Sequence, residues 1–327
     1  MGDLSVRELV NMYRTMLTVR LAEERFMRGL GRGEFPGFYF PVQGMEAAAV
    51  GVIAALRPDD YYVTTYRGIA DVLAKGASLE AVFGELLGRV TGMSRGKGGT
   101  MHMADPERGM MLTTGIVGSG TPIANGLGLA AQLRGEDRVT GVSFGDGATS
   151  IGALHEALNL ASLWNLPVIF VCHNNLWGEC TPLDAYTRTA RLAERATPFG
   201  IPGVTVDGTD VLEVYDAAVR AADRARSGDG PTFLEVVSPR ILGHNFGDTG
   251  DYMDEAAVRE ARANDPVPRF GEWLVTQGRL DRDGLDAMRQ QIADEVERAL
   301  TVAMNSASLP ADELYTDVFA PGVDVPR

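Results

Sequence analysis

Two places in this sequence end an apolar run with residues able to hold a cation. Gly145-Asp146-Gly147 follows residues 139–144, and Asn174-Asn175 follows residues 167–172. One carboxylate and one amide oxygen, with a main-chain carbonyl nearby, would fill part of an octahedron, and magnesium is held in this way where phosphate oxygens and water complete the shell. Each half alone is a weak signal, since Asp-Gly also makes plain turns. A hairpin turn would need an antiparallel strand at once, however, and the residues after Gly147 turn helical near Thr149. Amides at that helix start could face an anion, and the flanking glycines let the backbone approach it closely.

For the two sites to act together, the chain between them must return to the same edge of a sheet. A helix over 151–163 and a strand over 167–172 make up one βαβ unit, whose adjacent parallel strands end on a common edge. Ligands of open parallel sheets bind there. The surrounding pattern agrees, with helix at 123–133, strand at 139–144, helix at 188–196, strand at 204–206, helix at 211–226 and strand at 232–237. Strands alternating with helices of this length predict an α/β fold, a parallel sheet covered by helices on both faces. Ahead of this region, apolar residues at helical spacing predict a helix over 4–28 ending at Gly29 and a second over 45–56. Residues 29–44, with Pro36, Pro41 and several aromatics, read as a loop with an apolar lining. Residues 61–65 follow a turn, and 69–75 and 79–87 read as helices. The glycine-rich stretch 88–122 has no clear period. Past Ser238 come a Gly- and Asp-rich loop to 254, helices near 270–275 and 285–304, and an extended tail.

Composition narrows the function. With 30 Lys+Arg against 44 Asp+Glu the formal charge is −14, which opposes binding to nucleic acid or anionic lipid. Hydrophobic residues at 45% and charged residues at 23% of 327 are enough to build a core. The length suits one α/β domain over 1–250, with a helical extension and tail over 251–327. No apolar run approaches the ~18 residues of a membrane span, and residues 1–10 lack the regions of a signal peptide, so the expected compartment is the cytoplasm. Cys172 and Cys180 are too few for a disulfide framework and read as ordinary thiols. Residues 92–97 fail the phosphate-loop pattern, and Gly126-Leu127-Gly128 reads as helix packing. His102, His155 and His173 lack the spacing of a zinc site.

The run from Gly145-Asp146-Gly147 to Asn174-Asn175 resembles the thiamine-diphosphate motif, and the flanking sequence resembles the alpha subunit of 2-oxo acid dehydrogenases. The likeness spans nearly the whole chain. It takes in Tyr66-Arg67-Gly68, residues 96–103, Gly115-Ile116-Val117-Gly118, Glu156, Ala157 and Asn159, and the tail from Asp312 to Asp317. The resemblance implies that Asp146, Asn175 and the carbonyl of Trp177 bind magnesium, and that Gly147, Ala148, Tyr66 and Arg67 contact the diphosphate. It implies that Gly115 and Val117 hold the aminopyrimidine ring through their backbone. His244 matches a loop imidazole over the cofactor that handles substrate or acyl acceptor. The family's other domain supplies the glutamate that activates the cofactor, so a separate beta subunit in an α2β2 assembly is implied, with a small 2-oxo acid as substrate.

Three family histidines are absent. Phe40 stands in the Gly-Phe-x-His position, Ile69 in Tyr-Arg-x-His, and Leu242 in Arg-x-His-Gly-His. Histidine is the usual proton carrier near neutral pH, so three apolar replacements at an expected active-site entrance bear on the acceptor. The main reading is a dehydrogenase-type subunit acting on pyruvate, a related 2-oxo acid or acetoin and passing the acyl unit to a lipoyl acyltransferase. A non-oxidative carboligase using a carbonyl acceptor is the alternative, and a silent scaffold subunit is a third that intact Asp146, Asn175, Tyr66 and Arg67 oppose.

Overall fold

The computed structural model describes residues 4–318; residues 1–3 and 319–327 lie outside the described residues, and with them the start of the leader reading and the end of the tail. In chain order the strands are β1 (Tyr61–Thr65), β2 (Met110–Thr114), β3 (Thr140–Gly145), β4 (Val168–Asn174), the short pair β5 (Trp177–Gly178) and β6 (Thr181–Pro182), then β7 (Gly203–Asp207) and β8 (Thr232–Val237). The helices are α1 (Val6–Arg32), α2 (Glu46–Ala54), α3 (Ile69–Ala74), α4 (Leu79–Leu86), α5 (Gly120–Arg134), α6 (Gly152–Leu163), α7 (Leu183–Tyr186), α8 (Val211–Arg226), α9 (Glu255–Ala263), α10 (Pro266–Thr276) and α11 (Arg282–Asn305). Among the described residues one parallel sheet runs β2-β1-β3-β4-β8-β7, with β5 and β6 forming a separate antiparallel hairpin.

Alternation along the strands explains the two layers. Ile169 and Val171 of β4 and Leu234 and Val236 of β8 face the core shared with α1, α2, α8, α10 and α11. Val168, Phe170 and Cys172 of β4 and Phe233 of β8 face the core under α5 and α6. Both faces of β4 are therefore apolar and every residue of it is buried, as a strand covered on both sides requires. Helix α11 packs on α1 and α4, and Arg14 of α1 grips Glu295 of α11 with Nη2 at 2.8 Å from both oxygens. Among the described residues no helix is long and apolar enough to cross a membrane.

Several elements differ from the sequence reading. Helix α1 runs past Gly29 to Arg32, because a Cβ at Gly29 would overlap the Phe35 ring and the glycine serves packing there; the helix ends at Gly33, whose φ of 67° is the left-handed cap. Strand β2 lies unannounced in the glycine-rich stretch, and α9 in the segment after Asp254. Residues 192–199 form a 3-10 helix containing Pro198 rather than the expected α-helix. Residues 146–150 likewise form a 3-10 turn, closed by Thr149 Oγ1 donating to the Asp146 carbonyl at 2.6 Å, so α6 starts only at Gly152. The described part of the tail contains a 3-10 turn over Ala311–Tyr315; after it Lys97 holds Thr316 and Asp317, with Nζ 2.6 Å from each side chain.

One loop needs a helix to place it. Glu23, buried in α1, accepts hydrogen bonds from the amides of Val42 (2.6 Å) and Gln43 (2.9 Å) and from the Tyr39 hydroxyl (3.1 Å). These bonds fasten the aromatic loop across the sheet edge and set Phe40 at the site described next.

Candidate active site

Register brings the two cation-holding segments together, since Gly145 of β3 pairs with His173 of β4. At this carboxyl edge lies a cavity of about 450 Å³. It is lined by each residue given a metal, cofactor or loop-imidazole role from the sequence, Tyr66, Arg67, Gly115, Val117, Asp146, Gly147, Ala148, Asn175, Trp177 and His244, and by Phe40.

Asp146 is 1% exposed. Its Oδ2 accepts a hydrogen bond from the Tyr186 hydroxyl, whereas Oδ1 is buried with no partner. Burial pushes this carboxyl above the usual range, against the pull of the Tyr186 bond, so a cation at Oδ1 would relieve a costly buried charge. Asn175 Oδ1 accepts from the Trp177 amide at 3.0 Å and keeps a second lone pair. The bend between them is fixed from behind. Glu235 accepts from Asn174 Nδ2 at 2.8 Å, and Asn174 Oδ1 accepts from the amide of Leu176, whose φ is 70°. Among the described residues no three His, Cys, Asp or Glu side chains group as a metal site. A cation here must therefore complete its shell with amide, main-chain and ligand oxygens, which suits magnesium rather than a softer metal.

On the opposite wall, Phe40, Tyr66 and His244 pack edge to face or tilted, with ring centroids 4.4 Å (Phe40 to Tyr66) and 5.3 Å (Phe40 to His244) apart. Arg67 ties two loops together, donating from Nη1 to the Pro41 carbonyl (2.5 Å) and from Nη2 to the His244 carbonyl (2.8 Å). The same Nη2 lies 3.3 Å from His244 Nδ1. A guanidinium cannot accept, so Nδ1 is the acceptor and the neutral ring carries its proton on Nε2. Burial, then the charges of Arg67 and Arg240, lower the His244 pKa, which keeps that neutral form in place. Gly115 sits where a Cβ would lie 3.0 Å from Met101 Sδ, and Val117 is half exposed at the mouth.

Arg240 is the group that sequence reasoning missed. It lines the cavity and is 3% exposed, stacked 5.8 Å from both the Trp177 and Tyr252 rings. Its Nη2 donates to the Glu179 carbonyl (2.8 Å) and the Tyr252 hydroxyl (2.7 Å), while Nε and Nη1 have no partner. A buried, half-satisfied guanidinium is an anion site in waiting. The available signal was its position three residues past an apolar strand on the sheet's ligand edge. Thr64, Asp71, Ser143 and His173 complete the floor. The three apolar replacements separate: Phe40 lines the cavity, Ile69 packs in the core of α3, and Leu242 lines a different surface cleft. Only one of the three therefore alters the site itself.

Comparison with known proteins agrees with this geometry. The model of the dehydrogenase E1 component family matches residues 13–311. The alpha subunit of acetoin:2,6-dichlorophenolindophenol oxidoreductase from Cupriavidus necator is 42% identical over 318 residues, covering 97% of this chain and 95% of the relative. Its Bacillus subtilis counterpart is 39% identical with the same coverage. The pyruvate dehydrogenase E1 component subunit alpha of Rhizobium meliloti is 36% identical over 318 residues, covering 97% and 91%. The chain belongs to the dehydrogenase E1 component family, whose members are thiamine-diphosphate-dependent components of 2-oxo acid dehydrogenases that act with a beta subunit.

Proposed function

We propose that this chain is the alpha subunit of a thiamine-diphosphate- and magnesium-dependent enzyme that decarboxylates pyruvate or a related small 2-oxo acid, or cleaves acetoin, and passes on the acyl unit. The observation that carries this reading is the pairing of unsatisfied buried atoms on groups of opposite charge, Asp146 Oδ1 and the Nε and Nη1 of Arg240, in one cavity. A divalent cation and a polyanion bound together are what such a pair accommodates.

Bound thiamine diphosphate supplies the electron sink for breaking the bond beside the substrate carbonyl. Asp146, Asn175 and the Trp177 carbonyl hold the magnesium. Gly147 and Ala148 allow close backbone approach to the diphosphate, and Tyr66, Arg67 and Arg240 supply donors to it. Gly115 and Val117 hold the aminopyrimidine ring through main-chain groups. His244 presents its Nε2 proton to the substrate or acceptor, held in that tautomer by Arg67. Phe40 closes the substrate side and keeps water from the aromatic wall.

The assembly we propose is α2β2 with a separate beta subunit and a lipoyl acyltransferase as acceptor. Of the changes that raised the carboligase alternative, only Phe40 reaches the cavity, which favours the lipoyl reading. Cys172 is buried and Cys180 exposed, both unpaired, in keeping with the cytoplasm as the proposed compartment. Native mass spectrometry of the tagged chain from its own cell, followed by dye-linked assays with pyruvate and acetoin, tests the proposal. A heteromer carrying the cofactor supports it. A homo-oligomer that stays empty with added thiamine diphosphate and Mg2+ refutes it.

A further inference from the structure

Tyr186 ends the short helix α7, outside the cavity lining, yet its hydroxyl reaches the Oδ2 of Asp146. Its place is prepared from two sides. Gly178 lies where a Cβ would come within 3.2 Å of the Tyr186 ring, so the strand edge is hollowed for the phenol. The next residue, Thr187, accepts from Arg195 Nη2 at 2.6 Å, and Arg195 Nη1 also donates to the Thr149 carbonyl, locking α7 to the turn that carries Asp146. The consequence at Asp146 is asymmetric, with Oδ2 engaged from behind and Oδ1 free and buried.

That asymmetry matters for the choice of metal. Magnesium demands a small, near-octahedral shell, which a carboxylate enters through one oxygen, whereas calcium accepts more ligands and takes carboxylates through one oxygen or through both. We propose that Tyr186 is a positioning residue that holds Asp146 as a one-oxygen ligand and thereby makes the site prefer magnesium over calcium. The inference rests on the cofactor reading above. Tyr186 does not touch substrate or cofactor, and its effect passes through the carboxylate.

The test compares wild-type and Tyr186→Phe complexes with their beta subunit, following the quenching of tryptophan fluorescence by thiamine diphosphate as Mg2+ or Ca2+ is titrated. Trp177 lines the site and supplies the signal. Tyr186→Phe is expected to raise the half-saturating Mg2+ concentration about tenfold, the effect of one hydrogen bond to a charged group. The half-saturating Ca2+ concentration is expected to stay the same or fall, since freed Oδ2 allows two-oxygen binding. A parallel shift for both ions is what a merely structural role would produce, and that result, or no shift for either, overturns the inference. A second measurement needs no variant: Mg2+ added to the wild type with thiamine diphosphate should perturb a tyrosine ultraviolet band, and a spectrum without that perturbation also overturns it. A wild type that binds thiamine diphosphate with neither ion overturns the cofactor reading and this inference with it. A failure confined to Tyr186→Phe overturns the inference alone.

Discussion

Replacing Arg240 with Met should weaken thiamine diphosphate binding about a hundredfold more than it weakens the binding of thiamine itself. The reasoning starts from the bonds the guanidinium already makes. Nη2 serves the Glu179 carbonyl and the Tyr252 hydroxyl, and Nε and Nη1 serve nothing. Each bond between a charged donor and a charged acceptor contributes ~1.5–3 kcal/mol. Two bonds at the low end amount to about 3 kcal/mol, which at ~1.4 kcal/mol per tenfold is about a hundredfold in Kd. Met keeps the apolar stem between the Trp177 and Tyr252 rings, so most of the packing remains. The Nη2 bonds are lost as well, and loosening of the loop that carries His244 would weaken binding of any ligand in the cavity. Thiamine lacks the diphosphate and reports that second effect by itself. The assay is fluorescence quenching of the αβ complex at saturating Mg2+, with both ligands titrated against both proteins. Equal losses for thiamine and thiamine diphosphate, or a thiamine diphosphate loss below about threefold, would refute a diphosphate role for Arg240.

Asp146→Ala should abolish Mg2+-dependent binding of thiamine diphosphate with the heteromer intact; binding that still depends on Mg2+ would remove Asp146 from the metal site. Glu23 is fully buried and its pKa is pushed up to about 7, chiefly by loss of solvation, from an ordinary 4.5. The folded protein thus holds this proton more tightly than the unfolded chain, so the stabilisation is complete below about pH 4.5 and is lost as pH rises toward 7. The difference bounds the loss at about 3 kcal/mol, and Glu23→Gln should flatten that part of the stability profile in denaturant titrations at pH 5 and pH 7.5; parallel profiles would count against it. If His244 acts as proposed, its lowered pKa should place the acid limb of acyl transfer below the ordinary 6.5, and Arg67→Gln should move that limb upward, which a pH-rate profile will show or deny. Phe40→His should leave acylation of a lipoyl domain within about threefold, whereas a gain of tenfold or more would turn the argument toward a carbonyl acceptor.

The sheet and the cavity edge were legible because their signals are local. An apolar run buried on both faces, followed by Gly-Asp-Gly or Asn-Asn, leaves few readings open, and β3 and β4 are the adjacent parallel strands ending on a common edge that this pattern predicts. What escaped depends on contacts distant in sequence. Gly29 looks like a helix stop until Phe35 is seen lying over it. Strand β2 has only five residues and borrows its definition from pairing with β1. The helix expected over 151–163 is present from Gly152, and the helical start expected near Thr149 is a 3-10 turn because Thr149 donates back to Asp146 and Arg195 takes the Thr149 carbonyl. None of these partners is visible to a periodicity argument.

The site shows the same division between residue type and placement. Three histidines missing from the family pattern looked like one change in the chemistry of a pocket, because sequence spacing cannot say which side of an element faces the cavity. Ile69 follows Arg67 by two residues, yet it begins α3 and packs against the core while Arg67 lines the site. Leu242 precedes His244 by two residues and turns into the neighbouring cleft. Phe40 alone of the three takes a place in the wall, where it meets His244 edge to face and Tyr66 at a tilt. His244 needs no second imidazole to stay a neutral donor, since Arg67 already fixes its tautomer from Nδ1. Under the proposed roles, the loss of the other histidines therefore leaves the His244 Nε2 proton where it was, and Phe40 would act on the shape and dryness of the wall it shares with Tyr66.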